Sequence, residues 1–108
     1  MTRHMNIPVT VEDSVLADIL TTAIEGGINY WAHLRNCPRS DDLCVIYAEI
    51  VDPEDGLEIL VTRDTVFRGL ELYMSKYGNV RQLDNNDFDA EAADMVIQLG
   101  VFGKVVYG

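Results

Sequence analysis

The stretch that most constrains the fold is "LCVIYAEIV" (43–51), followed by "DPEDG" (52–56) and "LEILV" (57–61). The first run is almost continuously apolar, which marks a strand covered at least partly on both faces. In the turn, Pro53 pre-sets one backbone angle and Gly56 accepts a positive φ, the chemistry of a tight reversal. An antiparallel hairpin therefore sits in the middle of the chain, and the flanking segments must cover it.

Those segments read mainly as helices. Val15, Leu16, Ile19, Leu20, Ala23 and Ile24 recur at helical spacing, with Glu12, Asp13, Asp18, Thr21 and Glu25 opposite them. Thr10 and Asp13 resemble a capping box with Asp in place of Glu. Gly26 and Gly27 end this helix, one of them taking the left-handed conformation. Beyond them Ile28, Tyr30 and Ala32 alternate with Asn29, Trp31 and His33 as a further strand, and "RNCPRSDD" (35–42) is a loop. Residues 1–9 form a lead with an edge strand through Ile7 and Val9. Thr62 or Asp64 caps a second helix with Val66, Phe67, Leu70, Tyr73, Met74 and Tyr77 on its apolar face, closed by Gly78. Asp89 caps a third, whose buried stripe is Ala92, Ala93, Val96, Ile97 and Leu99, closed by Gly100. The expected class is α+β: a three-stranded antiparallel sheet with three helices mainly on one face, in the order α-β-β-β-α-α, plus an extended tail "VFGKVVYG". Its five large apolar side chains, Val101, Phe102, Val105, Val106 and Tyr107, close the core or join a symmetric dimer.

At 108 residues the chain fits a single domain, 1–108. Eighteen acidic residues against eight basic ones give a formal charge of −10. That opposes direct binding of nucleic acid, whose affinity rests on Lys and Arg meeting phosphates, and of an anionic membrane surface. It permits steering toward a basic protein partner. No run approaches the length of a membrane span, and "MTRHMNIPVTVEDS" lacks the apolar stretch of an export signal, so a cytoplasmic location with Cys37 and Cys44 as reduced thiols is expected.

His33, Cys37 and Cys44, with Asp41 and Asp42 between them, match no standard zinc spacing, and a Cys37–His33 nucleophile pair lacks an orienting third group. "DNNDFDAEAAD" (84–94) carries five carboxylates but fails the EF-hand pattern. Helix capping with a solvated acidic loop is the plain reading there; an acidic patch facing a protein and a divalent-cation site are the alternatives. Glu25 stands at a helix C-terminus, where a negative charge is unfavourable, next to Tyr30 and Trp31. That block reads as a turn with core aromatics, with an interface anchor and a small-molecule pocket floored by the glycines as alternatives. No nucleotide, metalloprotease or hydrolase motif occurs, and no catalytic residue, metal or cofactor is assigned.

"TTAIEGGINYWA" (21–32) and "DFDAEAADMVIQLGVFGKVVYG" (87–108), in this order, resemble a family of small uncharacterised proteins encoded by bacteriophages and prophages. The likeness covers most of the chain and is less clear over 33–58. Its glycine and aromatic block falls on Glu25, Gly26, Gly27, Tyr30 and Trp31. Its acidic entry to the last helix falls on Asp87, Asp89 and Asp94, followed by Gln98, Phe102 and Gly103. The resemblance implies an accessory role, such as modulating a host enzyme or blocking a defence nuclease, and brings no catalytic residues with it. The leading expectation is a non-enzymatic protein that binds another protein, with Glu25, Gly26, Gly27, Tyr30, Trp31, Asp84, Asp87, Asp89, Asp94, Phe102 and Tyr107 as its interaction candidates. The alternative is a ligand- or cation-binding domain, or enzyme, built on Glu25 and the 84–94 carboxylates.

Overall fold

The computed structural model describes residues 2–4, 10–39, 47–54, 56–77 and 88–107. Its α+β architecture is the expected one. Strands β3 (His33–Asn36), β4 (Tyr47–Asp52) and β5 (Leu57–Thr62) form an antiparallel sheet in that order. The hairpin forms where its turn chemistry places it. Gly56 has φ 70°, its N–H reaches the Asp52 carbonyl at 2.7 Å, and the Asp52 carboxylate accepts from the Glu54 N–H at 2.9 Å. Residues 43–46 and Gly78 lie outside the described residues, as does the edge strand expected at Ile7 and Val9. Among the described residues a short ribbon pairs β1 (Thr2–His4) with β2 (Thr10–Glu12).

The sheet is one-sided. Along β4, Ala48, Ile50 and Asp52 are buried while their neighbours are half-exposed, and Ala48 and Ile50 pair with Val61 and Ile59 of β5. Against this face lie α2 (Arg63–Lys76) and α3 (Ala90–Phe102), with α1 (Asp13–Thr22) packed on both helices. The stripes read from the sequence are the buried ones: Leu16, Ile19 and Leu20 of α1, Val66 and Leu70 of α2, and Ala93, Val96 and Ile97 of α3 join one core. Each such large apolar side chain contributes about 1.5–3 kcal/mol when fully buried. Tyr77, expected on the α2 face, is exposed.

Caps confirm two helix starts and correct a third. Thr62 and Thr65 form a reciprocal capping box at α2, and the Asp89 carboxylate accepts from the Ala92 N–H at 2.8 Å. At α1 the N-cap is Glu12, whose side chain makes no capping hydrogen bond, and Thr10 is paired in the β1–β2 ribbon. Nor does Gly100 close α3. The helix runs to Phe102 and ends at Gly103, whose φ of 77° supplies the left-handed cap. Gly100 and Gly69 lie instead where α2 and α3 cross. A Cβ on Gly69 would press into the Val96 carbonyl oxygen, and one on Gly100 into that of Thr65. The tail therefore begins only after Gly103, since Val101 and Phe102 are helical.

Candidate functional site

The glycine and aromatic block does not form the expected turn into a strand. Residues Ala23–Gly27 continue α1 as a widened π-helical turn, closed by the Ile28 N–H bonding to the Ala23 carbonyl at 3.0 Å. Neither glycine has a positive φ. Their lack of a side chain matters differently at each position. Gly27 is buried, and a Cβ there would stand 2.6 Å from the Ala90 carbonyl oxygen, whereas one on Gly26 meets nothing within 4 Å. The pair lets the wide turn settle on the first turn of α3 while leaving open space beside it. A π-turn inserts one residue into the helical count, and such insertions recur at functional sites.

Immediately after it the chain turns through Ile28, with the Trp31 and Ala32 N–H groups bonding back to the Ile28 carbonyl at 3.0 and 2.9 Å. This sends Tyr30 and Trp31 toward α3, and β3 starts only at His33. Trp31 is 3% exposed and its indole N–H donates to Asp94 Oδ1 at 2.7 Å. The Tyr30 hydroxyl donates to Asp94 Oδ2 at 2.5 Å, while its ring leaves the residue 58% exposed. Asp94, itself only 7% exposed, takes a third donor from Gln98 Nε2 at 2.9 Å. Partial burial of the phenol, then the hydrogen bond to the Asp94 carboxylate and its charge, push the Tyr30 pKa up from 10.0 to about 12.

The tail completes the arrangement. The Gln98 amide is fully buried and behaves like a piece of backbone, with Oε1 accepting from the N–H groups of Val106 (2.7 Å) and Tyr107 (2.8 Å) and Nε2 donating to the Tyr107 carbonyl (3.0 Å). The Tyr107 ring stacks on Trp31 at 5.2 Å between centroids and 8° between planes, and Phe102 closes on both rings. The Tyr107 hydroxyl donates to Asp52 Oδ2 at 2.6 Å, tying the tail to the hairpin turn. Val105 and Val106 remain exposed.

These contacts border a groove of about 570 Å³. Gly26 and Gly27 form one side, Ala90 and Met95 of α3 another, and Tyr30, Val105 and Tyr107 the rim. Among the described residues its carboxylates are Asp94 and the exposed Glu91, and no Lys, Arg or His lines it. Of the residues singled out in the sequence, Gly26, Gly27, Tyr30, Trp31, Asp94, Phe102 and Tyr107 meet here. Glu25 is exposed and does not line the groove, and Asp89 serves as the α3 cap. Asp84 and Asp87 lie outside the described residues. Among the described residues no three His, Cys, Asp or Glu side chains gather as metal ligands, and Cys37 is a free, half-buried thiol. The structural roles of Gln98 and Asp52 were not anticipated. The readable signal for Gln98 was a polar residue inside "MVIQLGVF", four after Asp94. No helix among the described residues is long and apolar enough to cross a membrane. Comparison of the chain with protein-family models, curated proteins and solved structures finds no match.

Proposed function

We propose that this chain is a small accessory protein of the phage type that acts without catalysis, by binding another protein through the groove beside Gly26 and Gly27. The observation that carries this reading is how the polar groups there are committed. Asp94 accepts three donors, and Tyr30 holds its proton more tightly than an ordinary phenol. A general base needs a free lone pair aimed at its substrate, and a general acid needs a pKa near the working pH. The groove instead offers an exposed aromatic ring, apolar walls and negative charge, which are means of recognition. The formal charge of −10 supports a basic partner. A second reading, a small ligand in the same groove, is favoured by its volume, which lies within the range of about 300–1,000 Å³ common to ligand sites.

The test uses Gly26→Trp, which fills the groove from a position where a side chain meets open space. Tagged wild-type and variant chains are incubated with bacterial host lysate at low and raised salt. The expected result is a saturable partner held by the wild type, weakened by salt and lost in the variant, whose melting curve matches the wild type. Failure of the wild type to retain any saturable partner at either salt concentration refutes the proposal.

A further inference from the structure

We infer that the groove is a subsite for one arginine side chain of the partner, entering beside an apolar neighbour. This rests on the reading of the chain as a protein-binding protein and names the chemistry its site selects.

The argument starts from the charge on Asp94. Aspartate is almost never so deeply buried unless it is paired, yet its three partners are a phenol, an indole and a carboxamide, all neutral. They occupy three of the roughly four acceptor sites of a carboxylate, two N–H donors converging on Oδ1 and the phenol on Oδ2. They do not neutralise it. Among the described residues no cation faces this carboxylate, and Glu91 adds a second negative charge at the mouth of the groove. A charge in partly apolar surroundings projects a stronger field than one in water, so the groove attracts a cation.

The shape of the groove selects which cation. The exposed face of Tyr30 suits a planar guanidinium, which stacks on aromatic rings and sheds water more readily than an ammonium. Met95 and Val105 supply apolar surface for the methylene stem. Gly26 leaves the entrance clear, and Glu91, being exposed, can meet the guanidinium end-on. A groove of about 570 Å³ is larger than one side chain, so a flanking apolar residue of the partner enters with the arginine.

The probe is the blocked dipeptide acetyl-leucyl-arginine amide, titrated into the isotope-labelled full chain. The controls are the same peptide with citrulline, which keeps the shape and removes the charge, and with lysine. The chain has one tryptophan, so the Trp31 indole N–H gives a single resolved signal beside the groove, read with the Gly26 and Gly27 amides. The arginine peptide is expected to shift these signals saturably, with the citrulline and lysine peptides on the order of tenfold weaker or more. Asp94→Asn and Glu91→Gln are each expected to weaken the arginine peptide by several-fold, about 3–10, while the dispersion of the remaining signals reports an intact fold. Equal binding of the citrulline or lysine peptide, no effect of either substitution, or no shift at these three positions overturns the assignment. If a lysate partner is captured in a Gly26→Trp-sensitive way but the arginine peptide does not bind, the subsite falls and the binding role stands. If the peptide binds as expected but no groove-dependent partner is captured, the binding role falls and the subsite stands.

Discussion

Removing the Asp94 carboxylate separates hydrogen bonding from charge at the centre of the site. In Asp94→Ala three donors lose their acceptor. Tyr30 is 58% exposed and turns to water, so little is lost there. Trp31 is 3% exposed and has a single N–H; leaving it unpaired costs about 1–3 kcal/mol. Gln98 keeps the Tyr107 carbonyl at 3.0 Å, so its loss is nearer one ordinary bond, about 1 kcal/mol. Relief of the buried charge offsets part of this. Before that offset the sum is about 2–4 kcal/mol, and the net loss lies toward the lower end of that range, still a large share of the roughly 5–15 kcal/mol that holds a domain folded. For a chain of this length it corresponds to a fall in Tm on the order of 10–20 °C. Asp94→Asn behaves differently. Its carbonyl oxygen can keep Trp31 and Gln98, and its NH₂ can donate to the Tyr30 oxygen, so the cost stays below about 1.5 kcal/mol. Urea and thermal unfolding of the three proteins measure both values. An alanine variant within about 0.5 kcal/mol of wild type would refute the network as a source of stability. An asparagine variant as unstable as the alanine one would show that charge, not lone pairs, holds the donors.

The two adjacent glycines should respond in opposite directions. Gly27→Ala must displace the Ala90 carbonyl and lose about 1–3 kcal/mol, whereas Gly26→Ala meets open space and gains up to about 1 kcal/mol from helix propensity; chemical denaturation ranks them. Gly69→Ala and Gly100→Ala should each force α2 and α3 apart and cost at least about 1–3 kcal/mol, with loss of cooperative melting as the severe outcome. Subtracting the tyrosinate absorbance of Tyr30→Phe from that of wild type should isolate a group titrating near 12, and Asp94→Asn should move it back toward 10. The folded chain holds this proton more tightly than the unfolded one. Its contribution to stability is therefore whole below pH 10 and is lost as pH rises from 10 toward 12. A phenol titrating at its ordinary value would remove Asp94 from that role.

The parts of the fold that local chemistry dictates were legible in the sequence. Pro53 and Gly56 marked the hairpin, Thr62 and Asp89 marked helix starts, and the apolar stripes of all three helices predicted the core. Misreadings arose where two structures share one local signal. The alternation from Ile28 to His33 imitates a strand, because a π-turn has no periodic signature of its own and rotates the following side chains out of helical register. Gly100 imitates a helix stop, because glycine serves equally at a left-handed cap and at a close helix crossing, and the true cap stands three residues later at Gly103. At the site, the block from Gly26 to Trp31 and the residues Asp94, Phe102 and Tyr107 could be singled out by type. Their partnership could not, since spacing along the chain carries no information about contacts 63 or 64 residues apart. Glu25 drew notice for its unfavourable place at a helix end, but exposure to water relieves that cost without involving it in the groove.

The clamp that Gln98 places on the tail also bears on the order in which the molecule assembles. It fastens Tyr107, whose ring and hydroxyl reach Trp31 and Asp52, and the tail carbonyl also meets Tyr30, 77 residues away in the chain. Contacts that close such long loops must overcome their entropy before they return anything, so they form late. The hairpin and the helix pairs can collapse first, with the aromatic stack sealing them afterwards. Interactions absent from the transition state act on the rate of leaving the native state rather than on the rate of reaching it. The seal of Tyr107 on Trp31 and Asp52, rather than the local Gln98 bonds eight and nine residues along the chain, is therefore expected to act as a kinetic fastening. It scarcely hastens folding, but it lengthens the time the groove survives between openings, and a binding surface must persist for that interval if a slow-dissociating partner is to remain bound.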